Sequence, residues 1–555
     1  MLKRAASYDT LVESFRWKIP ARFNMGVACC DRWAVAEPDR VALVRAHVDG
    51  GTSSISYGAL KRDSDRLAFA LTVRGIGHED RVALLLPQSA ETVFGHLAIY
   101  KVGAIAVPLA ALFGSEALRF RLRTSGARAI ITDAFGLAKL VQISRDLPDL
   151  ETVFCVDGPS GSAEGLRETM EAFRGPFNAA GTGADDPALM IFTSGTTGQP
   201  KGAIHAHRVL LGHLPGFQFS HEFLPEPDDR MWTPSDWAWA GGLLNALLPS
   251  LYFGVPVVFG PFQRFDPEAA LSLMARTNVR NAFLPPTAIR LLRAVKSPRS
   301  RFDLKVRTIV AAGESLGRDT YEWAREAFGI TINEVYGQTE CNYVLASSAT
   351  LGVSRAGAIG KTVPGHQVAI IDHEGREVPR SDLGQIAIRH PDPVMFLEYW
   401  HQARETREKF LHGWLATGDQ GVMDDDGYVQ FVGRDDDIII SAGYRIGPSE
   451  IEDCLVSHPA VALAAAVGKP DPIRTEVVKA FVVLRPGFAP SRELAAEIQQ
   501  FVRTRVSAAE YPREVDFVGE IPLTTTGKVI RSVLRDQARD EAATELTRSG
   551  EADEA

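Results

Sequence analysis

The sequence predicts an α/β protein: a large N-terminal domain of layered sheets containing a small β subdomain, followed by a small α+β C-terminal domain. Three observations lead there. Apolar runs alternate with helix-patterned stretches up to residue 313, strand pairs around polar turns take over near residue 360, and 555 residues exceed what one hydrophobic core supports.

The apolar runs are VALLL (82–86), AIAVPL (104–109), RAIIT (128–132), VPVVF (255–259) and RTIVAAG (307–313), with PEAALSLMART (267–277) as an intervening helix. Alternation of this kind means largely parallel sheets buried on both faces. VAIIDHEGREV and GQIAIRH read as hairpin-joined strands of the β subdomain. Near residue 435 three acidic residues precede the apolar run III. The remaining segment is domain-sized and βαβ-like, so the boundary is placed at Asp436, dividing 1–435 from 436–555.

Composition narrows the function classes. Hydrophobic residues at 45% and charged residues at 23% exclude a disordered chain, and a net charge of -9 excludes a partner such as nucleic acid held through its phosphates. The five cysteines (29, 30, 155, 341, 454) lack C-x-x-C spacing, so neither a zinc site nor a disulfide framework is predicted, and a reducing cytoplasm fits. The N-terminus mixes acidic and basic residues without an apolar segment and reads as mature. The uncharged window 237–263 is long enough to span a membrane, but Pro249, Gly254 and Pro256 break it, which predicts a packed helix, turn and strand.

IFTSGTTGQPKGAIHAH (191–207) is the most telling stretch. Thr193, Ser194, Thr196 and Thr197 supply hydroxyls, Gly195 and Gly198 allow close backbone approach, and Lys201 adds a positive charge, a set suited to phosphate oxygens. Pro200 before Lys201 and Gly202 after it exclude a Walker-type P-loop. His205 and His207 read as packing residues or as neighbours of a substrate pocket. Four further clusters pair glycine with charge. NEVYGQTE (333–340) offers Glu340 as a single Mg²⁺ carboxylate or, equally, a helix N-terminus. WLATGDQG (414–421) places Asp419 where a carboxylate accepts ribose hydroxyls, or in a plain turn. GRDDDIIISAGYRIGPSEIE (433–452) carries Arg434 and Arg445 and then a helix with Ser449 and Glu452 spaced as a capping box. PLTTTGKVIR (522–531) delivers Lys528 from a short loop.

Together TSGTTGQPKG, AAGES (311–315), YGQTE (336–340), TGD (417–419), GRDDD (433–437), SAGYRIGPSEIE (441–452) and TTTGKVIR (524–531) stand in the order found in AMP-forming acyl-CoA synthetases of the adenylate-forming superfamily, and the chain resembles that family over nearly its whole length, the medium-chain members most. The resemblance implies ATP, Mg²⁺ and coenzyme A as cofactors or co-substrates, a small carboxylic acid as substrate, and a mobile C-terminal domain. It gives Thr193–Lys201 to the ATP phosphates, with Thr193 among the catalytic groups. Gly313, Glu314, Ser315 and the stretch Glu334, Tyr336, Gly337, Gln338 and Thr339 would flank adenine and the α-phosphate. Glu340 would take Mg²⁺, Asp419 the ribose, Arg434 a place between ribose and phosphates, and Lys528 the carboxylate and α-phosphate; Arg445 joins the nucleotide set. Ala442, Gly443 and Tyr444 would line a thiol channel, Arg474 would meet coenzyme A phosphate, and Asp436 would be the hinge. The acyl pocket would be formed by Trp239, Ala240, Gly241, Ala312 and Gly337. In acetate-specific members a tryptophan stands at the last of these, so glycine implies a deeper pocket.

The implied reaction is acid, ATP and coenzyme A going to acyl-CoA, AMP and diphosphate through an acyl-adenylate. A medium-chain fatty acid ranks first and a short branched or aryl acid second. A luciferase-like oxygenase, a carrier-loading adenylation module and a non-catalytic nucleotide-binding protein rank lower. The Pro522-to-Lys528 setting is similar to that of members whose lysine is acylated, which implies a lysine acyltransferase as partner.

Overall fold

The computed structural model describes the chain except residues 194–198, 261–264, 315, 442–443, 472–473, 507–510, 525–528 and 554–555, and the side chains of 444–445 and 545–553. Ser194, Gly195, Thr196, Thr197, Gly198, Ser315, Ala442, Gly443 and Lys528 therefore lie outside the described residues.

Two large sheets form the N-terminal part. One runs in the order Glu398–Tyr399, Gly202–Ala206, Pro187–Phe192, Ile105–Pro108, Arg81–Leu85, Ala129–Thr132, Thr152–Cys155, Glu164–Gly165. The other runs Lys361–Thr362, Cys341–Ala346, Asn333–Gln338, Thr308–Ala311, Asn281–Phe283, Met231–Trp232, Val257–Phe259, Val41–Ala46, Thr52–Ser56. Each is parallel in its middle, where strands such as Ile105–Pro108, Ala129–Thr132 and Thr308–Ala311 are buried along their whole length. All five apolar runs read from the sequence are strands of these sheets.

The helices between them start on the expected caps. Ser56 accepts from the Ala59 N–H ahead of Tyr57–Val73, and Ser89 from Thr92 ahead of Ala90–Lys101. Asp266 accepts from Ala269 at 2.7 Å where Pro267 opens Pro267–Arg276. The uncharged window is the predicted helix, turn and strand: Gly254 ends the helix at φ 73 before Val257–Phe259, and Trp237, Leu243, Leu247 and Leu251 are fully buried. Among the described residues no helix is long and apolar enough to cross a membrane.

The β subdomain is a five-stranded sheet built on Val368–Ile371, Leu383–Arg389 and Trp414–Met423. Its last strand, Val429–Arg434, passes through the turn Asp435–Asp437 into Ile439–Ser441 of a separate sheet. That sheet pairs Val461–Asp471 with Thr475–Leu484 and adds Glu514–Phe517 parallel to the latter across helix Arg492–Arg505, a βαβ unit. One expectation fails here. The helix after Gly447 starts at Pro448, so Ser449 already lies inside it and caps nothing, while Glu452 pairs with Arg531 and accepts from the Ala466 N–H. Proline fixes the helical φ one residue too early for a capping box.

Candidate active site

The sheets deliver their loops to one cleft. Segments following the strands Arg81–Leu85, Ile105–Pro108, Met231–Trp232, Val257–Phe259 and Asn281–Phe283 line a cavity of about 1690 Å³, the position where open α/β sheets hold ligands. Its walls include Phe94, Phe192, Asp236, Trp239, Phe259 and Thr339, and Thr524 of the C-terminal segment reaches it as well. Thr524 precedes Lys528 by four residues in sequence, and Leu523 pairs with Val529.

NEVYGQTE is not a helix start. Strands Asn333–Gln338 and Cys341–Ala346 are antiparallel, with Gln338 opposite Cys341, so Thr339 and Glu340 form the tip of a hairpin. On that hairpin Tyr336 donates its hydroxyl to Asp419 Oδ2 at 2.6 Å, and Gln338 Nε2 donates to the same oxygen at 2.8 Å and to the Thr417 carbonyl at 2.9 Å. Asp419 sits in strand Trp414–Met423 after Gly418, whose φ of 79 suits glycine, and its N–H is fixed by Thr417 Oγ1. Across the strand pair stands Arg434, its Nε 3.7 Å from Asp419 Oδ1 and from Asp436. Arg434 Nε and Gln338 Oε1 have no hydrogen-bond partner. Two unsatisfied polar atoms beside a half-engaged carboxylate make a site that fits a ribose with its phosphates.

Glu340 is buried, and Tyr399 donates its hydroxyl to one carboxylate oxygen, Oε1. The Lys201 ammonium lies over the Tyr399 ring, 5.1 Å from its centroid. Thr193 N–H donates to the Lys201 carbonyl at 2.9 Å, which brings the two ends of the hydroxyl-rich sequence together. A lone carboxylate next to a cation and a phosphate-type loop fits Mg²⁺, which keeps few protein ligands.

Other predicted residues stand differently. Glu314 is engaged by Thr287 Oγ1 at 2.9 Å and by Arg290 at 3.1 Å, and Gly313 beside it has φ 103. Burial, with Asp453 adding repulsion, pushes Glu334 up to about 8, so its carboxyl holds a proton at neutral pH. Tyr444 and Arg445 lie in strand Tyr444–Ile446, and Arg474 N–H donates to Asp471 at 2.8 Å in the turn of the C-terminal hairpin. Burial pushes His205 down to about 3 and His207 to about 4. His207 Nδ1 accepts from the Met25 N–H, so both are neutral packing histidines and do not border the cavity.

Of the residues given to the acyl pocket, Trp239 lines the cavity and Gly241 packs against its ring, while Ala240, Ala312 and Gly337 stand behind the lining. Gly337 opens no space: a Cβ there would lie 2.4 Å from Asn342 Cα and 2.5 Å from Tyr343 N, so its glycine answers to the tight approach of the hairpin's own strands. Residues that sequence reasoning missed include Tyr399, Thr417, Thr287 and Asp236. The last is a cavity carboxyl that burial pushes up to about 6 while it accepts from Ala238 N–H. Tyr399, Thr287 and Asp236 sit in none of the motifs read above, and Thr417 opens TGD without having been given a role; strand pairing and loop closure bring them in.

Fold and site define an adenylate-forming enzyme. Residues 30–400 match the AMP-binding enzyme family and residues 450–528 its C-terminal domain. The chain is 33% identical to the acetyl-coenzyme A synthetase of Bacillus subtilis (strain 168), over 86% of this chain and 84% of that protein. It is 34% identical to the mitochondrial acyl-coenzyme A synthetase ACSM4 of Rattus norvegicus, over 94% and 91%. The structure is similar to that of the anthranilate CoA ligase AuaEII in complex with anthranoyl-AMP, with a TM-score of 0.87, 30% identity, and coverage of 95% of this chain and 99% of the other. The chain belongs to the AMP-binding enzyme family and is an AMP-forming acyl-CoA synthetase. Enzymes of this kind use ATP with Mg²⁺, and coenzyme A.

Proposed function

We propose that this synthetase activates a medium-chain fatty acid. The observation that carries the reading is the lining of the cleft, where Phe94, Leu166, Met170, Phe192 and Phe259 offer apolar walls to an acyl chain. Each methylene buried on such a surface contributes about 0.8 kcal/mol, enough to grade acids by length. An aryl acid is the second reading, favoured by the Trp239 ring at the cavity wall, backed by the Phe283 ring 6.4 Å away in the core, and by the likeness to a ligase solved with anthranoyl-AMP.

In the first step a carboxylate oxygen bonds to the α-phosphorus of ATP as the bond to pyrophosphate breaks. In the second the coenzyme A thiolate bonds to the acyl carbon and AMP leaves. Asp419 and Arg434 hold the ribose, Thr193 and Lys201 the phosphates, and Glu340 the metal. Mg²⁺ bound there supplies charge neutralisation on the phosphate oxygens. Lys528 brings an ammonium to the two anions that must meet. Support for that role comes from Thr524, which stands in the cavity wall four residues before it.

The division 1–435 and 436–555, with Asp436 as hinge, is supported by the change of sheet across Asp435–Asp437. In this reading rotation there replaces Lys528 by Ala442, Gly443 and Tyr444, and Arg474 meets coenzyme A phosphate. A cytoplasmic location is supported by five free cysteines, and an acyltransferase acting on Lys528 would switch off the first step. The test is pyrophosphate release across a series of acids from acetate to decanoate, with benzoate and 2-aminobenzoate. Hexanoate or octanoate should show the highest kcat/KM. A maximum at acetate would refute the reading, and one at an aryl acid would establish the second.

A further inference from the structure

Tyr399 lies outside every motif, yet it touches two groups of the nucleotide site at once. Its strand, Glu398–Tyr399, pairs with Gly202–Ala206 so that Tyr399 stands opposite Ala203, two residues after Lys201. The backbone around it is pinned: Trp400 N–H donates to the Gly202 carbonyl at 2.8 Å, and Tyr399 N–H to Thr406 Oγ1 at 2.9 Å. Its ring packs on Phe396 at 4.8 Å, and the Phe396 N–H in turn donates to the Glu340 carbonyl at 2.8 Å. The phenol is thus placed by both sheet edges that meet at Glu340, and it is itself 3% exposed.

The consequence lies in how a carboxylate can bind a metal. A free carboxylate rotates and offers either oxygen or both. In Glu340 the Tyr399 hydroxyl engages Oε1 and takes one of its lone pairs, which favours Oε2, the oxygen without that donor, as the metal ligand. Groups that hydrogen-bond to a ligating carboxylate set its orientation and commonly change metal affinity or activity 10–100-fold when removed, by general experience with such sites. Among the described residues Lys201 has no carboxylate partner; its contact is the ring face of the same tyrosine, which holds the ammonium near Glu340 without neutralising it.

We propose that Tyr399 is a positioning residue of the Mg²⁺ and ATP site, whose hydroxyl biases Glu340 toward one-oxygen coordination through Oε2. This rests on the reading of Glu340 as the metal ligand. The test uses the full chain and Mn²⁺ as the probe, with free Mn²⁺ followed by electron paramagnetic resonance in the presence of ATP and absence of any acid. Metal-free ATP binding is measured in parallel by calorimetry. Tyr399→Phe keeps the ring over Lys201 and removes only the hydroxyl. It should weaken Mn²⁺ binding roughly 10-fold or more while metal-free ATP binds as in the wild type, which also shows that the site is folded. Wild-type Mn²⁺ affinity in Tyr399→Phe, alongside its loss in Glu340→Gln, would overturn the positioning role alone. Wild-type affinity in Glu340→Gln would overturn the ligand assignment, and the proposal with it. An equal loss of metal-free ATP and Mn²⁺ binding in Tyr399→Phe would mark a structural role and overturn the proposal too.

Discussion

Tyr336 and Asp419 are 83 residues apart in sequence and joined by a 2.6 Å hydrogen bond, phenol to carboxylate. One partner belongs to the hairpin of a large sheet and the other to the β subdomain, so this bond and that of Gln338 hold two layers in register at the proposed ribose site. A hydrogen bond to a charged group contributes about 1.5–3 kcal/mol. Tyr336→Phe should therefore raise the KM for ATP by about tenfold or more and change kcat less. Steady-state pyrophosphate release at saturating acid checks this, and an unchanged KM would remove Tyr336 from the nucleotide site.

Lys528→Ala should abolish adenylate formation and spare thioester formation from supplied acyl-adenylate. Gly443→Leu should do the reverse by blocking the thiol channel. The two half-reactions are assayed separately, by pyrophosphate release and by thiol consumption. Equal loss of both in the lysine variant would refute its assignment to the first step.

Gly337→Ala tests the packing role of that glycine. Because the new methyl group would meet backbone atoms of Asn342 and Tyr343, which cannot rotate away, overpacking should destabilise the protein by about 1–3 kcal/mol. Differential scanning calorimetry should show the N-terminal transition at lower temperature. A variant of unchanged stability with a preference for shorter acids would restore the pocket-depth explanation.

Glu334 predicts a pH effect on stability. Its folded pKa is raised, from an ordinary value near 4.5 up to about 8, so between these limits the native state binds the extra proton. Its contribution is fully present below pH 4.5 and is lost as pH rises through 8. Glu334→Gln should match the wild type in thermal stability at pH 5 and exceed it at pH 8.5. A constant difference across that range would show that Glu334 does not titrate in the native state.

The parallel strands were legible because burial on both faces writes a continuous apolar run, and the candidate nucleotide residues stand out in the sequence because glycine, hydroxyl and charge cluster locally. What stayed hidden is long-range. Nothing near Tyr399 points to Glu340; sheet-edge pairing brings them together across 59 residues. Glycine at 337 signalled a constraint correctly but not which one, since open space and a close backbone neighbour both demand the absence of a side chain. The capping-box spacing misled for a local reason: Pro448 outranks Ser449 in setting where the helix begins.

The cleft takes part of its walls from chain segments that follow the strands, such as Pro234–Trp239 and Pro285–Leu291, and part from strand residues such as Phe192 and Phe259. The connecting segments are the part of the wall that can vary without rewriting a strand. An engineer seeking a new acid can randomise those connections first, and a library confined to them should retain most of its members as folded protein.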